Sequence, residues 1–259
     1  MATRATCEVA FERAKNMCFT CTSSGLNRRS FFKLGAAGAA AAFAGLALTT
    51  PSLAAQSTSP ALSPDQALDR LMEGNKKFVI DAGACAANFA VRRRDLTSGQ
   101  APWAIVLSCA DSRVVPELVF GGVTLGELFV ARNAGNVVDT NILGAIEYGV
   151  EHLHAPIVMV LGHSRCGAVS AACDMASKGT RIDGSVGKML LPILPVALAE
   201  TNRSEGFIDR TARANAVNGA ERIIAESAIV SHLVDEGKVK VVPAFYDLET
   251  GAVDLIHKV

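Results

Sequence analysis

The sequence predicts a single α/β domain with a mainly parallel β-sheet flanked by helices. Three observations lead there. Short runs that are apolar almost throughout, Trp103 to Ser108 and Pro156 to Leu161, read as strands covered on both faces. Segments with apolar residues at helical spacing separate those runs, the order that gives crossovers between parallel strands. Half of the 259 residues are apolar, ample for one sizeable core.

Taken in order, Ser63-Pro64-Asp65 opens a helix, with Ser as N-cap, Pro at the first position and an acid in the first turn. Leu68, Leu71, Met72 and Phe78 then recur at helical spacing. A polar stretch follows, in which Arg92-Arg93-Arg94 reads as a solvated face. The first strand ends at Cys109, and Leu128 to Ala131 forms a second. Asp139-Thr140-Asn141 caps a helix that carries Ile142, Leu143, Ile146 and Val150 on one face. The third strand ends at Gly162-His163. Cys166 to Ala176 is predicted helical, and Gly184 to Pro195 is a looser connection with its own helix. Ile208 to Val234 is expected to form one long amphipathic helix. Lys240 to Tyr246 gives a fourth strand, and Glu249-Thr250-Gly251 turns into a last one over Ala252 to His257.

Formal charge is zero and no basic patch stands out, so a nucleic-acid partner is not expected. That balance hides an asymmetry. Residues 1–55 carry Arg4, Arg13, Lys15, Arg28, Arg29 and Lys33 against only Glu8 and Glu12. Within them, Arg28-Arg29-Ser30-Phe31-Phe32-Lys33 is a twin-arginine pair with an aromatic and a lysine behind it. An Ala/Gly/Leu-rich stretch from Leu34 to Leu48 follows, and Ser52-Leu53-Ala54-Ala55 offers small residues for cleavage. Residues 1–55 therefore read as a cleaved twin-arginine export signal of a bacterial periplasmic protein. The apolar stretch is too short and too weakly apolar to span a bilayer, so no stable membrane insertion is expected after cleavage. Residues 56–63 read as a linker and 64–259 as the catalytic domain. Cys7, Cys18 and Cys21 go with the leader, and the last two lack the strand-to-helix context of a redox pair. Because the twin-arginine route carries folded proteins, a metal could be loaded before export, which would protect ligand thiolates from oxidation.

The chemistry lies in two short segments, Cys109-Ala110-Asp111-Ser112-Arg113 and His163-Ser164-Arg165-Cys166-Gly167, each ending an apolar run. In an open parallel sheet, sites form outside the carboxyl ends of the strands, so both segments should emerge at one edge. Two thiolates and an imidazole form a three-ligand set for zinc that leaves one position open, the pattern of a catalytic site. Cys166 would sit in the first turn of a helix, where the dipole and free N–H groups favour a thiolate. Asp111 has two possible roles: fourth ligand, or partner of Arg113 in a bidentate pair that leaves room for water. In the second case a hydrogen bond to Asp111 would help a zinc-bound water ionise near neutral pH. Cys85 and Cys173 read as small buried hydrophobes, and His152, His154, His232 and His257 as surface residues.

At these residues the chain resembles the β-class carbonic anhydrases, whose pattern is Cys-x-Asp-x-Arg followed by His-x-x-Cys. The resemblance runs from about Leu62 to the C-terminus and includes Arg132-Asn133 and Ile146-Glu147-Tyr148. It implies a β-carbonic-anhydrase-like fold, one zinc ion per chain on Cys109, His163 and Cys166, and Asp111 as either fourth ligand or partner of Arg113. Asp111 and Arg113 become the catalytic pair. Gln100, nine residues before Cys109, matches the family's substrate-side glutamine. Phe129 and Tyr148 match its apolar and aromatic walls, and the Gly167 N–H its substrate-oxygen donor.

One subgroup carries a second bicarbonate site built on a Trp three residues before the first Cys. Here Val106 stands at that position and Trp103 three further back, so that site is not expected. The implied reaction is reversible hydration of carbon dioxide to bicarbonate and a proton by zinc-bound hydroxide, in a homodimer or higher homo-oligomer. Hydrolysis of carbonyl sulfide or carbon disulfide on the same scaffold is the nearest alternative, and a non-catalytic zinc or thiol protein another. The loop of thiol phosphatases and sulfurtransferases places five residues between Cys and Arg, whereas three separate Cys109 from Arg113.

Overall fold

Strands at Ala104–Cys109 (β1), Leu128–Asn133 (β2), Ile157–His163 (β3), Lys240–Tyr246 (β4) and Val253–Leu255 (β5) form one sheet in the order β2-β1-β3-β4-β5. The computed structural model describes residues 62–83 and 89–256. The leader, most of the linker, Cys85 and His257 lie outside the described residues. β1 runs parallel to both β2 and β3, β3 runs parallel to β4, and β5 alone is antiparallel. Every residue of β1 and of β3 is buried, which is why their sequences are apolar without alternation.

The helices are Pro64–Ile80 (α1), Phe89–Asp95 (α2), Pro116–Val119 (α3), Thr140–Glu151 (α4), Gly167–Lys178 (α5), Gly184–Leu190 (α6), Leu194–Ala199 (α7), Phe207–Glu226 (α8) and Ala228–Asp235 (α9). α1 begins where its sequence places it. The Ser63 hydroxyl accepts from Gln66 N–H while the Gln66 side chain accepts from Ser63 N–H, closing a capping box. Asp139 caps α4 in the same way, accepting from the N–H groups of Asn141 and Ile142.

The sheet is covered on both faces. Ile105, Leu107, Val158 and Val160 pack against Ile146 of α4, Ala216 and Ile223 of α8 and Val230 of α9. On the other face Val106, Met159 and Leu161 meet Leu71 of α1 and Phe120 behind α3. Each fully buried Ile, Leu or Met contributes about 1.5–3 kcal/mol, so the central strands dominate the stability. Asn75 of α1 stitches that layer down. It is 4 % exposed and donates to the carbonyls of Val119 and Gly251, while its own carbonyl accepts from Val253 N–H.

Two elements differ from the sequence expectation. The long helix predicted over Ile208 to Val234 is two helices, α8 and α9, broken at Ser227, whose φ of −115° and ψ of 109° are extended. The Ser227 hydroxyl accepts from Val230 N–H as an N-cap and donates to Glu147 of α4 at 2.6 Å. This local competition by a serine ends the helix although the apolar pattern runs on. Of the strand expected over Ala252 to His257, the described residues form the three of β5, Val253–Leu255, with His257 outside them. Its register partners are Ala244, Phe245 and Tyr246, and just past its end Ile256 N–H donates to the Pro243 carbonyl at 3.0 Å.

The close seat of α1 generates a paired prediction. A Cβ on Gly74 would meet the Phe120 carbonyl oxygen at 2.0 Å, while a Cβ on Gly144 of α4 meets nothing within 4 Å. Gly74→Ala should therefore destabilise by about 1–3 kcal/mol through overpacking. Gly144→Ala should stabilise by about 0.5–1 kcal/mol through helix propensity. Thermal denaturation of both variants should show Tm shifts of opposite sign; shifts of the same sign would contradict this packing.

Candidate metal centre

β1 and β3 are neighbours and parallel, so their carboxyl ends open at one edge, as the sequence requires. Cys109 ends β1 and His163 ends β3, and Cys166 is the N-cap of α5. All three are buried, at 4 %, 0 % and 1 % exposure. Their ligand atoms lie within 4.8 Å of one another, and the two sulfurs are 4.0 Å apart. Two zinc–sulfur bonds of about 2.3 Å at a tetrahedral angle separate their sulfurs by about 3.8 Å. The donor spacing fits zinc.

His163 shows the same fit. Its Nδ1 is 2.9 Å from the Ser164 carbonyl. A carbonyl only accepts, so Nδ1 carries the proton and Nε2 presents a lone pair. That Nε2 is buried and has no hydrogen-bond partner, a cost that a metal ion removes. The tautomer is fixed by a backbone that is itself held. Ser164 N–H donates to Tyr246 of β4, and the Ser164 hydroxyl accepts from Leu248 N–H.

The thiols are held as a pair. Cys109 is pushed down to about 4, chiefly by its hydrogen bond with the Cys166 thiol, against burial, with help from backbone N–H groups including Gly135. Gly135 N–H donates to Cys109 Sγ at 3.3 Å. Cys166 is pushed up, first because it shares its proton with Cys109 and then by burial; the N–H groups of Ala168 and Val169 in the first turn of α5 oppose this. Two buried sulfurs this close form a position where a divalent cation can replace a thiol proton.

Asp111 and Arg113 sit beside this donor set as a closed pair. Arg113 Nε and Nη2 reach the two carboxylate oxygens at 2.9 and 2.7 Å, and Arg113 N–H adds a third bond at 3.0 Å. Asp111 Oδ2 is 4.0 Å from His163 Nε2, so the carboxylate borders the centre while Arg113 occupies both its oxygens. Arg113 holds the Asp111 carboxyl well below the usual range, against partial burial. By the sign of that shift, the pair contributes stability above the ordinary carboxylate value near 4 and loses it as pH falls through the lowered one. Arg132 fixes the backbone underneath, donating to the carbonyls of Cys109 and Asp111 at 3.0 and 2.8 Å.

Between the two later ligands the chain is strained. Arg165 has φ +54°, which costs a non-glycine residue about 1–3 kcal/mol. Its N–H donates to Asp209 of α8 at 3.0 Å and its guanidinium pairs with Glu249 at 3.1 Å. These contacts keep His163 and Cys166 aimed at one point.

Not all the residues singled out from the sequence meet in one chain. Gly167 opens α5 beside Cys166, and a Cβ there would meet nothing within 4 Å; its backbone faces open space. Phe129 and Tyr148 do form a wall, with ring centroids 6.1 Å apart. Phe129, however, is level with Ile105, whereas Cys109 is level with Asn133. Those four residues of strand amount to about 13 Å. Gln100 is exposed and lies before the start of β1. Gln100, Phe129 and Tyr148 thus belong to the amino end of the sheet, not to the edge that carries Cys109. Val106 is buried within β1, and Trp103 is stacked under Arg70, whose guanidinium carbon is 4.3 Å from the ring centroid. Arg132 was legible only as part of a matching motif. Asn133 was legible in the same way, whereas Gly135, Asp209 and Asn215 carried no signal of their own beyond the turn-forming types in Arg132-Asn133-Ala134-Gly135-Asn136.

Comparison with known proteins agrees with this centre. The family model described as carbonic anhydrase matches residues 104–253. Carbonic anhydrase 2 of Mycobacterium tuberculosis is 34 % identical over 192 residues, covering 74 % of this chain and 92 % of that protein. The carbonic anhydrase of Mycolicibacterium smegmatis is 32 % identical over 196 residues, covering 76 % and 95 %. Among solved structures, the Coccomyxa β-carbonic anhydrase in complex with acetazolamide is similar with a TM-score of 0.59 and 30 % identity, over 74 % of this chain and 86 % of that one. A structure from the work on two tetrameric β-carbonic anhydrases of Sordaria macrospora gives 0.57 and 28 %, over 64 % and 86 %. With its Cys109, His163 and Cys166 donor set in that fold, the chain belongs to the carbonic anhydrase family, β class.

Proposed function

We propose that this chain is a zinc enzyme that interconverts carbon dioxide and bicarbonate, releasing a proton in the hydration direction. The observation that carries it is the unpartnered, buried His163 Nε2 within 4.8 Å of two buried sulfurs that are themselves 4.0 Å apart, in a chain of this family. Zinc held by Cys109, His163 and Cys166 supplies a Lewis acid that makes water nucleophilic near neutral pH. Arg113 keeps Asp111 ionised and turned toward itself, so the carboxylate borders the reaction position as a hydrogen-bond acceptor instead of filling it. Asp111 Oδ2 then orients the attacking water and receives its proton's hydrogen bond. The Gly167 N–H, at the positive end of α5, donates to the substrate oxygen as charge develops there.

Gln100, Phe129 and Tyr148 serve as the substrate wall of a second copy's centre in this proposal. Their place at the amino end of the sheet supports it, because one chain does not bring them to its own Cys109. The assembly is a homodimer or a higher homo-oligomer.

Stopped-flow hydration across pH 6–9, with zinc quantified per chain, checks these assignments. Wild type should hold one zinc per chain and lose its rate per zinc on dilution to single chains. Asp111→Ala and Arg113→Ala should keep the zinc and lose hydration by about 100-fold or more, the scale of a positioned proton acceptor. Near-normal rates in either variant would remove the role assigned to the pair. A rate with carbon disulfide exceeding that with carbon dioxide would change the substrate.

We further propose that residues 1–55 form a cleaved twin-arginine export signal and that the enzyme works in the periplasm. The Arg28-Arg29 pair, the apolar stretch behind it and the small residues before Gln56 support this. No helix among the described residues is long and apolar enough to cross a membrane. Fractionation of cells expressing the full chain should place the shortened enzyme in the periplasm. Replacing both arginines with lysine should retain it uncleaved in the cytoplasm, and unchanged export would refute the assignment.

A further inference from the structure

Gly135 touches the metal centre on one side and the body of the fold on the other. Its N–H donates to Cys109 Sγ at 3.3 Å, and its carbonyl accepts from Asn215 Nδ2 at 2.9 Å. Asn215 lies in the middle of α8 and is 4 % exposed, among the small residues Ala212, Ala216 and Gly219 that seat the helix on the sheet. A buried carboxamide is costly unless it is hydrogen-bonded, and the bond it makes here is to this one loop.

The loop needs that bond. Gly135 has φ +82° and Asn136 follows at φ +44°. A Cβ on Gly135 would meet the Ile193 Cδ1 tip at 2.6 Å, and a side chain at φ +82° is strained whatever the space, so the position favours glycine. Glycine, however, imposes least on its own dihedral angles, and nothing within the residue fixes where its N–H points. Two restraints supply what it lacks. The Asn133 side chain brackets the loop, accepting from Val137 N–H and donating to the Val137 carbonyl, both at 2.7 Å. That ties the ends together. Asn215 ties down the middle.

We propose that Asn215 is a positioning residue for the metal centre, holding the Gly135 carbonyl so that the Gly135 N–H stays on Cys109 Sγ. An N–H donor withdraws electron density from a thiolate lone pair and fixes the direction in which the remaining lone pairs point. Without it the sulfur is more electron-rich and less well aimed. Loss of such an outer contact to a metal ligand typically weakens metal binding 10–100-fold.

The inference rests on the zinc reading of the centre, and the test separates the two. Zinc affinity is measured by chelator competition for wild type, Asn215→Ala and Asn215→Leu. The cobalt(II)-loaded forms are then compared by their sulfur-to-cobalt charge-transfer band. Ile223→Val, buried on the same helix away from the loop, controls for general loosening of α8. Both Asn215 variants should weaken zinc by about 10-fold or more and move the band to longer wavelength, because the sulfur lone pairs rise in energy. Ile223→Val should lower Tm and change neither.

Wild type that binds no zinc would overturn the function and this inference together. Wild type that binds zinc, beside a folded Asn215 variant with unchanged affinity and band, would overturn the inference alone. Equal changes in Ile223→Val would overturn it too. One measurement needs no variant: in cadmium-113-loaded wild type, the Gly135 amide proton should show coupling to the metal through the sulfur. Its absence would also overturn the inference.

Discussion

The hydrogen bond from His163 Nδ1 to the Ser164 carbonyl is the interaction on which the rest of the centre depends. It places the imidazole proton on the outer nitrogen and leaves a bare lone pair on Nε2, inside a wall of buried residues. Without that tautomer the ring would present an N–H to two sulfurs, and the three donors would be a hydrogen-bonded cluster instead of a ligand set. The bond is local, from one residue to the next, so its reliability comes from elsewhere. Ser164 is held by β4 through Tyr246 and by Leu248 through its hydroxyl. Sheet order, a property of the whole domain, thus decides which nitrogen carries a proton.

Charge organises what surrounds this donor set. Two thiolates neutralise a divalent cation, so a carboxylate has little charge to gain on the metal, whereas the Arg113 guanidinium offers it a full one. Arg113 takes both oxygens of Asp111. The pair is neutral as a unit, and its carboxylate lies 4.0 Å from His163 Nε2. Arg132 and Asp209 act on backbone instead, one under Cys109 and Asp111, the other on Arg165 between the later ligands. The strained φ of Arg165 sits where two ligands three residues apart must converge, and the surrounding contacts hold it there.

Much of this was legible in the sequence. Cys109 and His163 end runs that are apolar almost throughout, and such runs are strands buried on both faces, so their ends had to fall at one edge of a parallel sheet. The bidentate pairing of Asp111 with Arg113 was one of two arrangements their spacing allowed. Other features were hidden for physical reasons. Apolar residues continue at helical spacing across Ser227, and only its bond to Glu147, distant in sequence, shows why the helix stops. Asn215 reads as a polar residue on an amphipathic helix, and its burial depends on how closely α8 approaches the sheet. That Phe129 and Tyr148 stand about 13 Å along the strand from the metal edge follows from the register of β1 with β2. Residue types do not disclose register.

On the proposed reading, Cys109, His163 and Cys166 alone bind zinc while Arg113 keeps Asp111 off it. Zinc-edge X-ray absorption of the purified protein at neutral pH tests this most directly. Two sulfurs at about 2.3 Å, one imidazole nitrogen at about 2.0–2.1 Å and one oxygen from water are the result this account predicts. A carboxylate oxygen in place of the water, or a shell with other than two sulfurs, would contradict it.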